Sequence, residues 1–346
     1  RTPADSSVYP TISAALDAIP MDLNEPACIY LAPGIYHEKI TINKPYLTIL
    51  GTGKSNKDVV LTYDDYALAP MADIGKLGTF RSYSVFIDTH DVTLQNLTIE
   101  NASGDSLTHG QAIALYADGD RLVIDSCRLI GYQDTLFTGP LPPKEIEPDG
   151  FIGPKQFAPR INGRQYYKNC YICGDIDFIF GSATAYFENC VIESLCRTTN
   201  VNDIQGYITA ASTPESQEYG YVFSNCKLIS KDCPPNSVYL GRPWRNYAKT
   251  VFLECALGNH IHECGFHDWK KEDARNTVLY AEYRNYPASS ADTTSNNRSL
   301  NDDIHCIDGR CIPYPHRAEY VCELDAVQAE HFSKENVLSG ADHWNP

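Results

Sequence analysis

Four short segments of the sequence place polar side chains inside runs that otherwise read as β-strand. They are Gly110-Gln-Ala-Ile-Ala-Leu115, Gly131-Tyr-Gln-Asp-Thr-Leu-Phe137, Gly174-Asp-Ile-Asp-Phe-Ile-Phe-Gly181 and Tyr239-Leu-Gly-Arg-Pro-Trp-Arg245. Asp177 lies in one of the most apolar of these runs, where a carboxylate is costly unless it is paired. Arg242 is a candidate partner that would keep Asp177 ionised, as nucleophilic catalysis requires. On these two residues alone, a purely structural Asp–Arg pair is the favoured alternative.

Asp134 could complete a catalytic group or could simply accept hydrogen bonds in a turn. If Asp134 lies near Asp177, repulsion between the charges would raise one pKa and keep one carboxyl group protonated. A general acid would then stand beside a nucleophile. The side-chain amides of Gln111 and Gln133 could donate hydrogen bonds to a developing oxyanion. Without this grouping the two glutamines would be ordinary surface residues.

Aromatic residues near these segments could offer flat faces to sugar rings, although aromatic residues in strands more often belong to the core. The candidates are Tyr132, Phe178, Trp244 and Trp269. The sequence contains neither a Gly-rich phosphate loop nor a Gly-x-Ser-x-Gly elbow, which argues against a serine hydrolase of the usual kind.

Two other clusters resemble metal or redox sites. The first comprises His260, His262, Glu263, Cys264 and His267, which lack a recognisable zinc spacing. The second is Cys170-Tyr-Ile-Cys173, which lies in a strand pattern rather than at the start of a helix. We therefore expect no metal and no cofactor.

A degenerate repeat indicates the elements that position these residues. Each copy has β-formers, a polar pair, a Cys or apolar residue and a second apolar run, as in Tyr186-Phe-Glu-Asn-Cys-Val-Ile192. In five copies the cysteine falls at Cys127, Cys170, Cys190, Cys226 and Cys255. The uneven spacing predicts stacked coils of equal cross-section with loops of variable length, so that Cys aligns on Cys and Ile on Ile. The Asn or Ser before the Cys suits a bend. An antiparallel β-sandwich is the alternative.

The ends and the loops differ from the repeats. Apolar residues at helical spacing predict a capping helix over residues 9–19, and a C-terminal helix is predicted over 323–337. Residues 139–160 are rich in Pro and are predicted to form a long structured loop, whereas the Ser/Thr/Asn/Asp-rich residues 289–299 predict a flexible loop. The whole chain, 1–346, is predicted to be a single domain.

Composition bounds the possible partners. The formal net charge of −16 argues against binding of nucleic acid, because phosphate binding needs a basic surface. No apolar run approaches the ~20 residues of a membrane helix. The chain has 13 cysteines, of which Cys306 and Cys311 could close a small loop under oxidising conditions. The cysteine content is therefore compatible with both an oxidising and a reducing compartment.

The four polar segments closely resemble motifs of the pectin methylesterase family. The shared motifs are Gln-Ala-x-Ala-Leu, Tyr-Gln-Asp-Thr-Leu, Asp-Phe-Ile-Phe-Gly and Leu-Gly-Arg-Pro-Trp, and they follow the family's order. The resemblance covers nearly the whole chain, from Thr11-Ile12 to Asn336-Val-Leu-Ser-Gly. It implies an all-β fold, a right-handed parallel β-helix with short N- and C-terminal capping helices.

The resemblance also implies a role for each polar residue. Asp177 would be the nucleophile that attacks the C6 methyl ester of a galacturonate. Asp134 would protonate the departing methanol and then act as base toward water, while Gln111 and Gln133 would stabilise the oxyanion. Arg242 would hold Asp177 in place and charged.

The implied substrate is methyl-esterified homogalacturonan or oligogalacturonates, with Trp244 and Trp269 as aromatic residues of the substrate groove. No cofactor is implied, and we expect a monomer. A polymeric substrate favours export; the lack of a leader and the many thiols would fit an intracellular enzyme that acts on imported oligosaccharides. Two alternatives remain: a β-helical polygalacturonate hydrolase or lyase, and a non-catalytic sugar-binding solenoid.

The sequence departs from the family pattern at three places. Residues 139–160 look longer than the corresponding loop of plant relatives. Gly174-Asp175-Ile176 replaces the usual Gly-Thr-Val, which adds a carboxylate that alternation would point the same way as Asp177. Phe266 replaces a Trp three residues before Trp269.

Overall fold

The protein is a right-handed parallel β-helix, which confirms the predicted fold class. The structure, a computed structural model, describes residues 7–21, 25–72, 75–288 and 316–346. Within these residues, the coils up to Val238–Gly241 run through three sheets in turn, the later coils have strands only in the first two, and neighbouring strands of every long sheet are parallel. No helix of the described part is long and apolar enough to cross a membrane. The parallel pairing of the strands excludes the antiparallel β-sandwich.

The three long sheets are named here in the order in which a coil visits them. Sheet one contains Ala27–Leu31, Leu47–Gly51, Val92–Gln95, Leu122–Asp125, Arg164–Lys168, Thr184–Glu188, Tyr221–Ser224, Lys249–Leu253, Leu279–Tyr283 and Val321–Glu323. Sheet two contains Gly34–His37, Val59–Tyr63, Thr98–Asn101, Arg128–Ile130, Tyr171–Gly174, Val191–Ser194, Lys227–Ile229, Ala256–Leu257 and Tyr286–Pro287. Sheet three contains Ile40–Ile42, Val85–Ile87, Leu115–Ala117, Leu136–Thr138, Ile176–Gly181, Gly206–Ala211 and Val238–Gly241. A small antiparallel pair joins Pro70–Met71 and Gly75–Lys76.

The bend between sheets one and two repeats from coil to coil. From the third coil onward, one residue at each described bend has a positive φ of 49–55°: Asn96, Ser126, Asn169, Asn189, Asn225, Glu254 and Arg284. Asn tolerates this left-handed conformation better than most residues, which explains its frequency before the repeated Cys. The predicted bend at these positions is confirmed.

The interior of the coils is built from ladders of like residues. In the cysteine ladder, the carbonyl groups of Cys127, Cys170, Cys190 and Cys226 each accept a hydrogen bond from the residue that follows the next cysteine, at 2.8–2.9 Å. Beside it, the fully buried rings of Tyr167, Phe187, Phe223 and Phe252 stack with centroid separations of 4.4–4.6 Å. The prediction that equivalent residues stack on one another is confirmed.

Helices flank the two ends of the described chain. The first helix is Ile12–Asp17, shorter than the predicted 9–19, with Thr11 as its N-cap and Ile12 and Leu16 buried in the interior. Near the C-terminus, the single helix predicted over 323–337 is replaced by two short helices, Ala326–Glu330 and Lys334–Leu338. Asp325 begins the former with a capping box, and Ser333 begins the latter, so the chain is interrupted between them.

The second C-terminal helix packs on the side of the coil. Val337 and Leu338 are buried against Tyr166 and Tyr186 on the outer face of sheet one. Three further short helical segments lie in loops: Ser106–His109 and the 3₁₀ turns Thr79–Arg81 and Glu272–Asn276.

The Pro-rich segment 139–160 contains no helix or strand; residues 143–150 are exposed, whereas residues before and after them are anchored. The Arg160 guanidinium donates hydrogen bonds to four carbonyl groups of the loop at 2.6–3.2 Å. Leu141 and Phe151 are buried against the outer face of sheet three. Residues 289–299 and the pair Cys306 and Cys311 lie outside the described residues.

Candidate active site

The four polar segments meet on the outer face of sheet three. The register aligns Leu115 with Leu136, Leu136 with Ile179, and Ile179 with Thr209. The strand Gly206–Ala211, which is not part of any predicted motif, lies between the third and fourth segments. An aromatic cluster that includes Phe80, Phe137 and Phe180 supports this face from beside the Pro-rich loop. Stacking of coils therefore brings residues distant in sequence onto one surface.

Asp134 and Asp177 lie on adjacent coils, with little of either exposed. The backbone N–H of Asp134 donates to the carbonyl of Ile176 at 3.1 Å, and the two residues are 7% and 6% exposed. Both have left-handed backbones, with φ of 66° and 51°. A shift of register between Ile176 and Ile179 bulges the strand at Asp177. Bulges and left-handed residues re-aim side chains, and they concentrate at functional sites.

Arg242 holds Asp177 through two parallel hydrogen bonds. Its Nε and Nη2 donate to the two carboxylate oxygens at 2.8 and 2.7 Å. The guanidinium carbon lies 3.9 Å from the centroid of the Tyr207 ring and 3.7 Å from that of Trp269. Stacking fixes the plane of the guanidinium, so that it can grip the carboxylate in one orientation.

The surroundings give the two carboxyl groups different proton affinities. Burial raises the pKa of Asp134 well above its ordinary value, and the charge of Asp177 raises it further. Burial also raises the pKa of Asp177, but the paired Arg242 guanidinium opposes the rise. These effects favour a proton on Asp134 and the negative charge on Asp177, because Arg242 is hydrogen-bonded to Asp177 and the Asp177 charge disfavours ionisation of Asp134.

Gln111 and Gln133 occupy neighbouring coils next to the carboxyl groups. The N–H of Ala112 donates to the carbonyl of Gln133 at 3.0 Å, which ties the two segments together. Both glutamines are half-buried. Neither side-chain amide forms a hydrogen bond within the described residues, so both can serve a ligand.

The predicted sugar-binding aromatics fall into two groups. Trp244 and Trp269 are half-buried at the edge of the aromatic cluster, and Tyr132 is 37% exposed. Trp244 also packs against Phe151 of the Pro-rich loop, with 6.1 Å between centroids. Phe178 is completely buried in the interior of the coil. Its assignment as a sugar-binding residue is wrong, because the bulge at Asp177 leaves its ring facing the core.

Sequence reasoning missed two residues of the site. Tyr207 stacks on Arg242, and Lys271 donates hydrogen bonds to the carbonyls of Pro243 and Trp244 at 2.7 and 3.1 Å. Burial, with the charges of Arg245 and Arg242 adding to it, lowers the pKa of Lys271 to about 8. Neither residue interrupts an apolar run, so the pattern that revealed the other polar residues gives no signal for them.

The additional carboxylate, Asp175, is held apart from the Asp177–Arg242 pair. It is 1% exposed, accepts a hydrogen bond from the Ile176 N–H at 2.6 Å and another from the Ser106 hydroxyl. Arg197 donates to the same Ser106 hydroxyl at 3.2 Å. Burial raises the pKa of Asp175, and these contacts oppose the rise.

The other clusters noted in the sequence belong to the packing. His260 is buried, and burial lowers its pKa to about 4, while the His262 ring stacks on Tyr239. Cys170 belongs to the interior ladder, and burial raises the pKa of Cys173. In the described ranges, no group of three or more His, Cys, Asp or Glu side chains is arranged to hold a metal ion.

Comparison with known proteins places the chain in a family. The Pectinesterase family model matches residues 2–140 and 160–302, so the gap in the match falls within the Pro-rich loop. Pectinesterase 31 of Arabidopsis thaliana is 32% identical over 86% of this chain and 86% of its own length. Pectinesterase QRT1 of the same plant is 31% identical over 79% of this chain, which spans 65% of the QRT1 length.

Solved structures of pectin methylesterases share the fold of this chain. Pectin methylesterase PemA from Erwinia chrysanthemi superposes with a TM-score of 0.72 at 27% identity, covering 100% of this chain and 96% of that one. A pectin methylesterase in complex with a hexasaccharide gives a TM-score of 0.72 at 26% identity, covering 100% and 97%. The chain therefore belongs to the pectinesterase family of carboxylic ester hydrolases.

Proposed function

We propose that this chain hydrolyses the C6 methyl esters of galacturonate residues in pectin or its oligosaccharides, releasing methanol and a free carboxylate. One observation supports the proposal: Arg242 donates hydrogen bonds to both carboxylate oxygens of Asp177, and burial raises the pKa of Asp134 on the adjacent coil well above its usual value. Two carboxyl groups in different protonation states supply a nucleophile and an acid without a histidine or a metal ligand.

The first half-reaction forms an acyl-enzyme. A carboxylate oxygen of Asp177 attacks the ester carbonyl carbon, and the C=O electron pair moves onto oxygen. The amides of Gln111 and Gln133 would donate to this oxyanion, which is worth about 10²–10³ in rate for a single donor in other esterases and proteases. The bond to the methoxy oxygen then breaks, and Asp134 gives its proton to the departing methanol.

The second half-reaction releases the product. Asp134, now ionised, takes a proton from water as the water oxygen attacks the acyl carbon. Asp177 leaves as a carboxylate and Asp134 regains its proton, so the site returns to its starting state. Arg242 would favour this departure because it pairs with the Asp177 carboxylate and not with the mixed anhydride that Asp177 forms in the acyl-enzyme.

The substrate groove would lie along the outer face of sheet three. Trp269 stacks on the Arg242 guanidinium and Trp244 packs against Phe180; both are half-buried, and flat aromatic faces suit sugar rings. A related pectin methylesterase binds a hexasaccharide, which supports a polymeric or oligomeric substrate for this chain. Tyr132 would add a further aromatic surface at the exposed edge.

Methanol release from highly methylated pectin tests the proposal. Wild type should release methanol without new reducing ends or unsaturated ends, and Asp177→Asn should lower kcat by at least about 10³-fold because it removes the nucleophile. Asp118→Asn is a matched control, since Asp118 is another buried carboxyl group after a strand of sheet three.

The same assay separates the alternatives. New chain ends without methanol would replace the esterase by a polygalacturonate hydrolase or lyase. Binding of oligogalacturonates without any product would leave a sugar-binding solenoid. Equal loss of activity in Asp118→Asn and Asp177→Asn would remove the special role of Asp177.

A further inference from the structure

Asp175 is a carboxylate two residues before the proposed nucleophile, and it is too deeply buried to touch a substrate. It is 1% exposed, and its Oδ1 accepts a hydrogen bond from the Ile176 N–H at 2.6 Å. Its Oδ2 accepts another from the hydroxyl of Ser106, which is 3% exposed. A carboxylate at this depth is costly unless such hydrogen bonds replace those to water. Any influence of Asp175 on the reaction must therefore pass through the groups that it contacts.

The Ser106 hydroxyl has a fixed direction. Arg197 Nε donates to its oxygen at 3.2 Å, and a guanidinium has no acceptor of its own. The hydroxyl must therefore accept from Arg197 and donate its own proton to Asp175. The three side chains form a chain that runs from a cation through a hydroxyl to a carboxylate. Hydrogen bonds to charged groups are stronger than those between neutral groups, so this chain can hold a loop in place.

The three residues of this chain lie at the same bend in three different coils. Ser106, Asp175 and Arg197 follow the sheet-two strands Thr98–Asn101, Tyr171–Gly174 and Val191–Ser194, respectively. The sheet-two strand that precedes Asp134, Arg128–Ile130, pairs with the first two of these strands, one on each side. The hydrogen bond from Ser106 to Asp175 therefore spans the coil of Asp134.

Ser106 is also the first residue of the short helix that leads to Gln111. The helix Ser106–His109 ends before Gly110, whose N–H donates to the Ser106 carbonyl at 3.0 Å and whose φ of 72° turns the chain. Gln111 follows directly, and its carbonyl accepts a hydrogen bond from the Ala67 N–H at 2.8 Å. The segment that carries Gln111 is thus fixed by Ala67 on one side and by the Ser106 side chain on the other.

We propose that Asp175 and Ser106 are positioning residues that hold the Gln111 amide where the oxyanion of the ester hydrolysis forms. The inference rests on the proposed function and adds two residues that act through Gln111 without touching the substrate. The oxyanion is absent from the bound substrate, so a displaced Gln111 lowers kcat and leaves substrate binding unchanged. Arg197 supports the same contact because it orients the Ser106 hydroxyl.

Initial rates of methanol release by Ser106→Ala test this role. We expect kcat to fall by about tenfold, because a misplaced oxyanion donor loses part of its contribution, and KM to stay within about twofold of wild type. Ser237→Ala is the matched control, since Ser237 is also 3% exposed and donates its hydroxyl to the Pro234 carbonyl at 2.6 Å. An unchanged kcat in Ser106→Ala, or an equal loss in Ser237→Ala, would overturn the inference.

A double-mutant cycle shows whether the effect passes through Gln111. Gln111→Ala alone should lower kcat by about 100-fold. Adding Ser106→Ala to it should lower kcat by at most about a further twofold, because the group that Ser106 positions is already gone. Independent losses that multiply to about 1,000-fold would contradict a positioning role.

Asp175→Asn guards against misfolding. Asparagine has nearly the size of aspartate but offers one acceptor oxygen in place of two, so either the Ser106 hydroxyl or the Ile176 N–H loses its partner. This variant should lower kcat as Ser106→Ala does. A wild-type kcat in Asp175→Asn would remove Asp175 from the proposal.

Hydrogen exchange of the backbone amides of residues 105–111 measures the same contact without turnover. We expect exchange about tenfold faster in Ser106→Ala and Asp175→Asn than in wild type, and no change in Ser237→Ala. Unchanged exchange in the first two variants would overturn the inference. Absence of methanol from wild type would instead count against the proposed esterase, while the exchange rates would still decide whether Asp175 and Ser106 hold this segment.

Discussion

The interior of the coil and the outer face of sheet three bury their polar chemistry in opposite ways. Inside, burial raises the pKa of Cys170 and Cys190 well above the ordinary value, so the thiols stay neutral. Outside, burial raises the pKa of Asp177 as well, but Arg242 opposes it and holds the negative charge. Burial thus gives a neutral ladder where the described surroundings of the thiols supply no cation, and an ion pair at Asp177, where Arg242 supplies one.

The interior ladders and the site on sheet three also differ in whether successive coils repeat the same residue type. Interior ladders place the same residue type in successive coils, and each member is held by neighbours like itself. The site uses successive coils too, but each coil contributes a different residue: Gln133 and Asp134, then Asp177, then Tyr207, then Arg242. A shared register is therefore a scaffold on which unlike side chains can be assembled.

The largest effect is expected when the Arg242 partner is removed from the Asp177–Arg242 ion pair. Arg242→Met leaves a buried, unpaired carboxylate, and we expect the free energy of unfolding at pH 7 to fall by about 3–5 kcal/mol. Methanol release should also fall by at least about 100-fold, because Asp177 becomes protonated and loses its orientation.

Urea denaturation and initial rates measure the two effects. Arg128→Met is the matched control, since Arg128 lies over the ring of Tyr171 at 5.2 Å, far from any catalytic group, and should cost at most about 1 kcal/mol. A similar loss of stability in both variants would mean that the pair at Asp177 has no special energetic role.

A substitution in the interior aromatic ladder should lower the free energy of unfolding without lowering kcat. Phe187→Ala removes the ring between Tyr167 and Phe223, and such cavities cost about 3–5 kcal/mol. We expect kcat per folded molecule at 25 °C to stay within about twofold of wild type. Phe157, which is 91% exposed, provides the control: Phe157→Ala should leave the denaturation midpoint unchanged. A large drop in kcat for Phe187→Ala would couple the ladder to the site.

A buried carboxylate oxygen that accepts no hydrogen bond within the described residues, Oδ2 of Asp118, sharpens the contrast. Burial raises the pKa of Asp118 to about 6, although Lys155 at 4.0 Å opposes the rise. An unfolded Asp titrates near 4, so the native state binds the proton more tightly and stability falls as pH rises from about 4 to about 6. Asp118→Asn should lack this slope and should exceed wild type by about 2 kcal/mol at pH 7–8. Unfolding measured from pH 4 to pH 8 checks this, and parallel curves for the two proteins would contradict it.

The smallest effect concerns a single thiol. Cys190→Ala removes one sulfur atom from the interior ladder and should lower the free energy of unfolding by about 1 kcal/mol. Cys28, which is exposed, gives the reference variant Cys28→Ala, expected to change nothing measurable. Equal destabilisation by the two substitutions would show that stacking of thiols does not matter.

The sequence by itself determined the repeating part of this protein. Alternation of apolar residues and the Asn-Cys bend predict stacked coils, because each coil must satisfy the same local geometry as its neighbours. The carboxyl groups and glutamines could be picked out since polar residues inside apolar runs are costly and need a reason. Apolar residues at helical spacing predict the N-terminal helix, but its ends at Ile12 and Asp17 are not marked by this pattern.

Only the tertiary structure decided which side chains meet and which way they point. Tyr207 and Lys271 reach the site through register and stacking across coils, and no local pattern marks them. Phe178 was misassigned because a bulge at Asp177 changes the alternation that sequence reasoning assumes. The charge states of Asp134 and Asp177 likewise depend on burial and on Arg242, which is 65 residues from Asp177 in sequence and reaches it only through the stacking of the coils.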